Sequence, residues 1–420
     1  MRGLRRKLNE IDQAFYLDNK SLSRIFQKTF ARKGFFGIVS PIRIFYLGCE
    51  HGLSEVGRFS PQSPHGISMN NEASFPAVSV IVPVYNLETC VARCLDSIEA
   101  QTCPPLEIVV IDDGSSDRTP AILERYAASH PAVRVIRQAN AGVDAARYAG
   151  MDAARGEYLM FVDGDDALFP DSIEALARAA VRTGADIVMG DYVRHLDRFG
   201  LFRRKDGFIP DDRTIERSEF LASYYGGFFG RDAYGLFYNY GKMCMKLYRT
   251  SFMLANRPQP NGLRYAEDQL FNLQVFPKAD RIALLKKDVY IYRFGGVTGN
   301  LTLSLFGDMI RLHETKLTLT DRDDWRFSER GTFLHNVQSF LATLAISGRL
   351  KARSMAEALA MLNASSIWPQ ALEEHPEFDD AFFTAARLGD PAAAWRALDR
   401  GKLVQKIAYR LRRVVLKLVR

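Results

Sequence analysis

Three carboxylates follow a short apolar run in residues 158–166, Tyr-Leu-Met-Phe-Val-Asp-Gly-Asp-Asp. Such a run, bounded by glycine and acids, is typical of a buried strand, and side chains two apart on extended backbone share a face. Asp163 and Asp165 can therefore point into one cavity. Two carboxylates repel each other unless a proton or a cation lies between them, and a divalent metal carrying a nucleotide diphosphate would satisfy both. An ordinary acidic turn after a strand is the alternative interpretation.

The elements that would hold these residues alternate between short apolar strands and helices from Ala77 to Tyr192. This alternation predicts an α/β fold with a mostly parallel sheet that helices cover on both faces. Ligands of such sheets bind at the carboxyl ends of the strands. The polar residues that follow the predicted strands are Tyr85, Asn86, Asp112, Asp113, Asp163 and Asp165.

The composition is that of a soluble globular protein with two or three domains, since 47% of the 420 residues are hydrophobic. No run reaches the roughly 18 uninterrupted apolar residues that a membrane span needs. The basic N-terminus lacks the apolar core of a secretory signal, and the five cysteines form no paired framework. These features predict a cytoplasmic location.

The excess positive charge lies in residues 401–420, which hold seven of the 56 basic residues and none of the 49 acidic ones. Apolar residues such as Leu403, Ile407 and Leu411 recur there at helical spacing. This pattern predicts a basic amphipathic helix that binds the anionic inner face of the cell membrane peripherally. Packing of its apolar side on the preceding helices is the alternative. No nucleic-acid-binding motif accompanies the charge, so we expect no nucleic-acid partner.

Four motifs occur in order along the predicted sheet: Val-Ser-Val-Ile-Val-Pro-Val-Tyr-Asn at 78–86, Glu-Ile-Val-Val-Ile-Asp-Asp-Gly-Ser-Ser-Asp at 107–117, Gln-Ala-Asn-Ala-Gly-Val-Asp-Ala-Ala-Arg at 138–147 and Phe-Val-Asp-Gly-Asp-Asp at 161–166. Their order and spacing resemble the family 2 glycosyltransferases of bacterial cell-surface polysaccharide synthesis. The resemblance implies a GT-A fold and an inverting, metal-dependent transfer from a nucleotide sugar. It covers about residues 77–300.

The resemblance assigns the donor nucleotide to the first two motifs. Pro83 and Tyr85 would form an apolar and aromatic platform for a uracil-like ring, which suggests a UDP-sugar. Asp112 or Asp113 would accept hydrogen bonds from the base or the ribose, and the sequence does not distinguish between the two.

Contacts with the diphosphate are implied for Asn140 and Arg147 of the third motif, because arginine can bind phosphate oxygens as a bidentate donor. The segment Tyr-Ile-Tyr-Arg-Phe-Gly-Gly-Val-Thr at 290–298 resembles the closing loop of the family. Arg293 would clamp the diphosphate from this loop, and Thr298 would assist. The loop has no histidine, so we expect no protein metal ligand from it.

Asp163 and Asp165 match the DxD element of the family. By this resemblance Asp163 would approach the ribose or the donor sugar, and Asp165, with Asp163, would hold Mn²⁺ or Mg²⁺ bound to the diphosphate. Asp166 would be an acceptor behind these two residues or the start of a helix.

A second acidic pair, Glu267 and Asp268, lies in Arg-Tyr-Ala-Glu-Asp-Gln-Leu-Phe-Asn at 264–272, which looks like the Glu-Asp motif of the family. Inversion by one displacement needs a carboxylate that takes the proton of the acceptor hydroxyl as the new bond forms. We assign that role to Asp268, with Glu267 orienting the acceptor or the base. Acids in the first turn of a helix are also favoured by the helix dipole alone.

The predicted function is sugar transfer to a glycan or a lipid-linked acceptor; the alternatives are an inactive scaffold with the same fold and a nucleotidyltransferase. The glycine-rich residues 226–235 are expected to form a mobile loop beside the acceptor or an aromatic surface loop. The predicted parts of the chain are a basic N-terminal appendage at 1–53, a linker at 54–76, a GT-A domain at 77–304 with a nucleotide-binding half at 77–192 and an acceptor half at 193–304, a helical domain at 305–400 and the basic helix at 401–420.

Overall fold

A single mixed sheet joins the nucleotide-binding and acceptor halves. The computed structural model describes residues 75–195, 203–205, 209–230, 240–293 and 301–399. The predicted N-terminal appendage, the linker up to residue 74 and the basic helix at 401–420 lie outside these residues. The strands are β1 Val78–Val84, β2 Glu107–Asp112, β3 Val133–Arg137, β4 Tyr158–Phe161, β5 Ala167–Leu168, β6 Ile187–His195, β7 Arg203–Lys205, β8 Arg213–Glu216, β9 Lys246–Arg249 and β10 Arg281–Arg293.

The sheet order is β3-β2-β1-β4-β9-β6-β10-β5, with β7 paired to β6 and β8 paired to β10. Strands β3, β2, β1 and β4 pair in parallel, and β9 lies antiparallel between β4 and β6. Because β1, β2 and β4 run in the same direction, their carboxyl ends meet at one edge of the sheet. The polar residues of the first, second and fourth motifs follow these ends.

Helices cover both faces of the sheet, as the strand–helix alternation predicts. Side chains alternate along β1: Val80 and Val82 pack into one apolar core, and Ile81 packs into the core of the opposite face. The α-helices are α1 Val91–Glu99, α2 Thr119–Ser129, α3 Val143–Ala153, α4 Ser172–Thr183, α5 Arg217–Ser223, α6 Thr250–Asn256, α7 Glu267–Val275, α8 Leu303–Thr318, α9 Asp323–Ile346, α10 Ala352–Asn363, α11 Trp368–Glu374, α12 Ala381–Arg387 and α13 Pro391–Asp399.

The regular pattern extends further along the chain than the sequence suggests. The predicted alternation ends at Tyr192, but β6 continues to His195 and strands β8, β9 and β10 complete the sheet. The apolar pattern of β10 is interrupted by charged residues, and its pairing with β6 shifts register between Leu284 and Asp288. This irregularity hides a strand of 13 residues from simple periodicity.

The glycine-rich segment is packed, which corrects the expectation of a mobile or surface loop over its described part. Residues Tyr225–Phe229 form a 3₁₀ helix, and the Phe229 ring stacks on Trp325 with 5.2 Å between ring centroids. Gly230 has φ +82°, and a Cβ at this position would lie 2.0 Å from Oγ1 of Thr332 on α9. Only glycine permits this approach. Residues 231–235 lie outside the described part.

The helices from α8 to α13 enclose an apolar core of their own that includes Phe306, Phe333 and Leu341. Leu312 of α8 and Trp325 of α9 also pack into the core beneath the sheet, so the helical region rests on the acceptor half. Among the described helices, none is both long enough and apolar enough to cross a membrane.

Candidate active site

The loop after β1 presents an aromatic ring at the carboxyl edge of the sheet. The Tyr85 side chain is 49% exposed, which is unusual for a large aromatic residue beside a buried strand. Asn86 has φ +53°, and its Oδ1 accepts a hydrogen bond of 2.8 Å from the backbone N–H of Ser116. The backbone N–H of Asn86 donates to Oγ of Ser115 at 2.9 Å. The loop that carries Tyr85 is therefore fixed, whereas Pro83 is buried within β1.

The two carboxylates at the carboxyl end of β2, Asp112 and Asp113, have different surroundings. Asp113 accepts hydrogen bonds from Nε2 of Gln138 at 2.7 Å and from the backbone N–H groups of Ala141 and Gly142 at 2.9 and 2.8 Å, so it fixes the loop of the third motif. Asp112 is also buried, and its Oδ2 lies 3.3 Å from Nε of Arg137. Contact of either carboxylate with a base remains a prediction.

The loop fixed by Asp113 carries Asn140, whose side chain is exposed at this edge. Gly114 has φ +74°, and a Cβ there would lie 2.8 Å from the backbone nitrogen of Asn140. The loops after β2 and β3 can therefore approach each other only with glycine at position 114. Asn140 is available to a ligand, and its diphosphate contact remains a prediction.

Asp163 and Asp165 lie at the end of β4, separated by a glycine in a crowded position. A Cβ on Gly164 would lie 2.7 Å from Cδ1 of Leu87 and 3.2 Å from the carbonyl oxygen of Pro83. Burial, and secondly the charge of Asp163, raise the pKa of Asp165 to about 6. A cation beside the two carboxylates would relieve this repulsion.

Asp166 anchors the end of β10 instead of starting a helix. Its Oδ2 accepts a hydrogen bond of 2.7 Å from the Tyr290 hydroxyl, and its Oδ1 accepts one of 2.7 Å from the backbone N–H of Arg293. The backbone at Arg293 is thereby fixed beside Asp166. Burial, and secondly the charge of Arg93, lower the pKa of Arg293. Thr298 and the rest of the closing loop at 294–300 lie outside the described residues.

Arg147 lies between the two acidic motifs. Its side chain is buried; Nη1 donates to Oε1 of Glu267 at 2.8 Å, and Nη2 donates to Oδ1 of Asp163 at 3.1 Å. The third motif therefore joins the fourth motif to the Glu-Asp pair, which lies 120 residues further along the chain. A bidentate contact with a diphosphate, as the resemblance implies, would require at least one of these ion pairs to open.

The Glu-Asp pair begins helix α7 directly after a strained residue. Ala266 has φ +57°, a conformation that costs a non-glycine residue on the order of 1 kcal/mol and often occurs at functional sites. Burial, and secondly the charge of Glu267, raise the pKa of Asp268 to about 7. A carboxylate with this pKa can take a proton from a hydroxyl near neutral pH far better than an ordinary aspartate.

Three further charged residues lie at the site, although we did not predict them from the sequence. Asp144 on α3 is buried near Glu267, and Oδ2 makes no hydrogen bond. Its spacing of three residues from Arg147 could have identified it. Lys246 begins β9 and is fully buried, which lowers its pKa to about 7, and it interrupts an apolar run. Arg93 on α1 lies near Arg293 and gives no recognisable sequence signal.

The carboxyl edge of the sheet fits a divalent cation that a diphosphate also holds. The chain offers Asp163 and Asp165, two hard oxygen ligands whose mutual repulsion a cation would relieve. Within the described residues, no group of three or more His, Cys, Asp or Glu side chains is placed to hold a metal ion. Phosphate and water oxygens would therefore have to complete the coordination.

Comparison with known proteins identifies the family. The family model described as glycosyl transferase family 2 matches residues 79–251. The putative glycosyltransferase EpsH of Bacillus subtilis is 30% identical over 245 residues, which cover 57% of this chain and 68% of that protein. The chain belongs to glycosyltransferase family 2. The uncharacterized glycosyltransferase EpsJ of Bacillus subtilis is 36% identical over 224 residues; the match covers 52% of this chain and 61% of EpsJ.

Solved structures show the same fold. The crystal structure of residues 1–349 of S. aureus TarS in complex with UDP has a TM-score of 0.54 and 22% sequence identity, and it covers 80% of this chain and 91% of that chain. The complex of the same TarS fragment with UDP-GlcNAc has a TM-score of 0.55 at 21% identity and covers 80% of this chain and 92% of that chain. The predicted GT-A fold of this family 2 member, with its added helical C-terminal region, is confirmed.

Proposed function

We propose that the protein transfers a sugar from a UDP-sugar to a hydroxyl of a glycan or lipid-linked acceptor in surface polysaccharide synthesis, with inversion at the anomeric carbon. The observation that carries this proposal is the connection of the two acidic motifs by Arg147. Asp268, the proposed base, follows Glu267 directly, has a pKa raised to about 7 and lies close enough to Asp163 for their charges to interact. UDP and UDP-GlcNAc occur in the TarS complexes, which supports a uridine donor.

In this proposal the residues at the strand ends bind the donor. The exposed Tyr85 ring stacks on the uracil. Arg293 binds the diphosphate, whose negative charge also relieves the repulsion between Arg293 and the nearby Arg93. Mn²⁺ or Mg²⁺ held by Asp163 and Asp165 would neutralise negative charge on the departing diphosphate. The leaving group would then lie at the ends of β1, β2 and β4.

On the acceptor side, Asp268 takes the proton of the attacking hydroxyl at its carboxylate oxygen. Its Oδ1 accepts a hydrogen bond of 2.8 Å from the backbone N–H of Gln269, which fixes the side chain at the start of α7. Glu267 stays in its ion pair with Arg147 and orients Asp268 through the shared helical turn. One carboxylate therefore acts as the base, and its neighbour positions it.

We also propose that the enzyme acts at the inner face of the cell membrane, where residues 401–420 would dock on anionic lipid and bring the site to a lipid-linked acceptor. This part of the proposal rests on the charge and apolar spacing of that segment.

Titration of the full chain with UDP tests the donor and metal assignments. We expect binding with Mn²⁺ that weakens at least tenfold when EDTA removes the metal, or when Asp165→Asn removes one of its ligands. Asp152→Asn is the matched control, because Asp152 is exposed on α3 and pairs with Arg257 away from the site. Equal UDP affinity with and without metal would refute the metal assignment, and absence of UDP binding would refute the donor.

A further inference from the structure

Asp144 and Arg147 lie on the same face of α3, three residues apart, and each has an unused buried polar atom. Oδ2 of Asp144 and Nε of Arg147 are both buried without a hydrogen-bond partner. The Asp144 side chain is 8% exposed. Because a buried polar atom without a partner is costly, such atoms in a well-packed site call for an explanation.

More carboxylates lie near the guanidinium of Arg147 than it binds in this structure. It pairs directly with Asp163 and Glu267, and it also acts electrostatically on Asp144 and Asp268. Burial, and secondly the charge of Glu267, raise the pKa of Asp144 to about 6, whereas the charge of Arg147 lowers it. Asp144 is therefore close enough to feel Arg147 without being bound to it.

Asp163 has two roles that compete. It is the partner of Nη2 of Arg147 in this structure, and it is also a proposed ligand of the donor complex. If a cation and a diphosphate draw Asp163 away, a buried guanidinium loses one of its partners, which is strongly unfavourable. A replacement carboxylate on the same helix would remove that penalty.

We propose that Asp144 is a positioning residue of the transfer site, which binds Arg147 when the donor complex occupies Asp163. The inference rests on the proposed function. The exchange keeps Nη1 of Arg147 on Glu267 and so keeps Asp268 in place while the donor is bound. Arg147 would therefore pair with Asp163 in the free protein and with Asp144, on its own helix α3, when the donor is bound.

The first test measures donor affinity with UDP and Mn²⁺ as the probe. In Asp144→Ala the arginine has no replacement partner, so we expect UDP binding roughly tenfold weaker than in the wild type. Asp152→Ala on the same helix should bind UDP as the wild type does. Unchanged UDP affinity in Asp144→Ala would overturn the proposal.

The second test needs no donor and therefore separates this inference from the proposed function. Removal of Asp163 should send Arg147 to Asp144, so Asp144→Ala should destabilise an Asp163→Ala background more than it destabilises the wild type. We expect the double variant to melt roughly 3 °C or more below the value obtained by adding the two single effects. Additive melting temperatures would overturn the exchange. Failure of the wild type to bind UDP would refute the donor assignment. The melting temperatures of the single and double variants would then decide the role of Asp144.

Discussion

Replacement of the proposed base should stabilise the protein at high pH while it abolishes transfer. Burial, and secondly Glu267, raise the pKa of Asp268 from 3.8 to about 7. The folded protein therefore favours a protonated Asp268 over a range of pH in which the unfolded chain holds the same carboxyl ionised. Asp268→Asn removes the charge that the fold disfavours, and it also removes the oxygen that accepts the proton.

The magnitude follows from proton linkage. A pKa that rises from 3.8 to about 7 on folding corresponds to about 4 kcal/mol. Well below pH 3.8, both states are protonated and the group contributes little. As the pH rises towards 7, the unfolded chain releases its proton first, so the free energy of unfolding falls by up to that amount. Asp268→Asn should recover it at pH 8, which corresponds to several degrees in melting temperature.

Thermal denaturation at pH 4.5 and pH 8 measures this effect in the wild type, Asp268→Asn and the exposed control Asp152→Asn. We expect a gain for Asp268→Asn that is larger at pH 8 than at pH 4.5, and no pH-dependent gain for the control. The same variant should bind UDP normally and show no transfer, whereas kcat of the wild type should rise with pH to a plateau around an apparent pKa of about 7. A loss of stability at pH 8, or an equal change at both pH values, would refute the assignment of a raised pKa to Asp268.

Three other substitutions test separate parts of the structure. Tyr85→Ala should weaken UDP binding by roughly three- to tenfold, as lost ring stacking predicts, and Tyr85→Phe should not; equal affinities in both variants would exclude the platform. Glu329→Gln should lower the free energy of unfolding by about 3–5 kcal/mol, because the fully buried Glu329 carboxylate contacts Lys316 at 2.7 Å and His313 at 2.6 Å. Chemical denaturation measures this loss, and a value below about 1 kcal/mol would contradict the prediction. Deletion of residues 401–420 should release the protein from anionic liposomes at low salt, since each cation contributes about 1 kcal/mol near the surface, and unchanged sedimentation with liposomes would refute docking through this segment.

The sequence predicts local features of the site well because they depend on neighbouring residues. The apolar run before Asp163 indicates a strand, and the polar residues after it must lie at the end of that strand. The acids Glu267 and Asp268 occupy the first turn of a helix, where the helix dipole favours negative charge. Both features depend on interactions that act over a few residues, although the role of the Glu-Asp pair was inferred from its resemblance to a family motif.

Contacts between distant segments could not be predicted in this way. Arg147 matches a motif that suggests phosphate binding, yet its partner Glu267 lies in another motif and is brought to it only by the fold. The glycine-rich segment reads as a loop because its aromatic residues have no regular spacing, but Trp325 of a distant helix buries them. Tertiary packing, which one sequence does not reveal, decides both cases.

Release of UDP from a panel of UDP-sugars by the full chain with Mn²⁺ tests the central claim most directly. We expect the wild type to release UDP from at least one UDP-sugar. Asp268→Asn should bind UDP with wild-type affinity but cleave the UDP-sugar at least 100-fold more slowly, on the order expected for loss of a general base. Equal UDP release by the wild type and Asp268→Asn, or no UDP release from any donor in the panel, would contradict it.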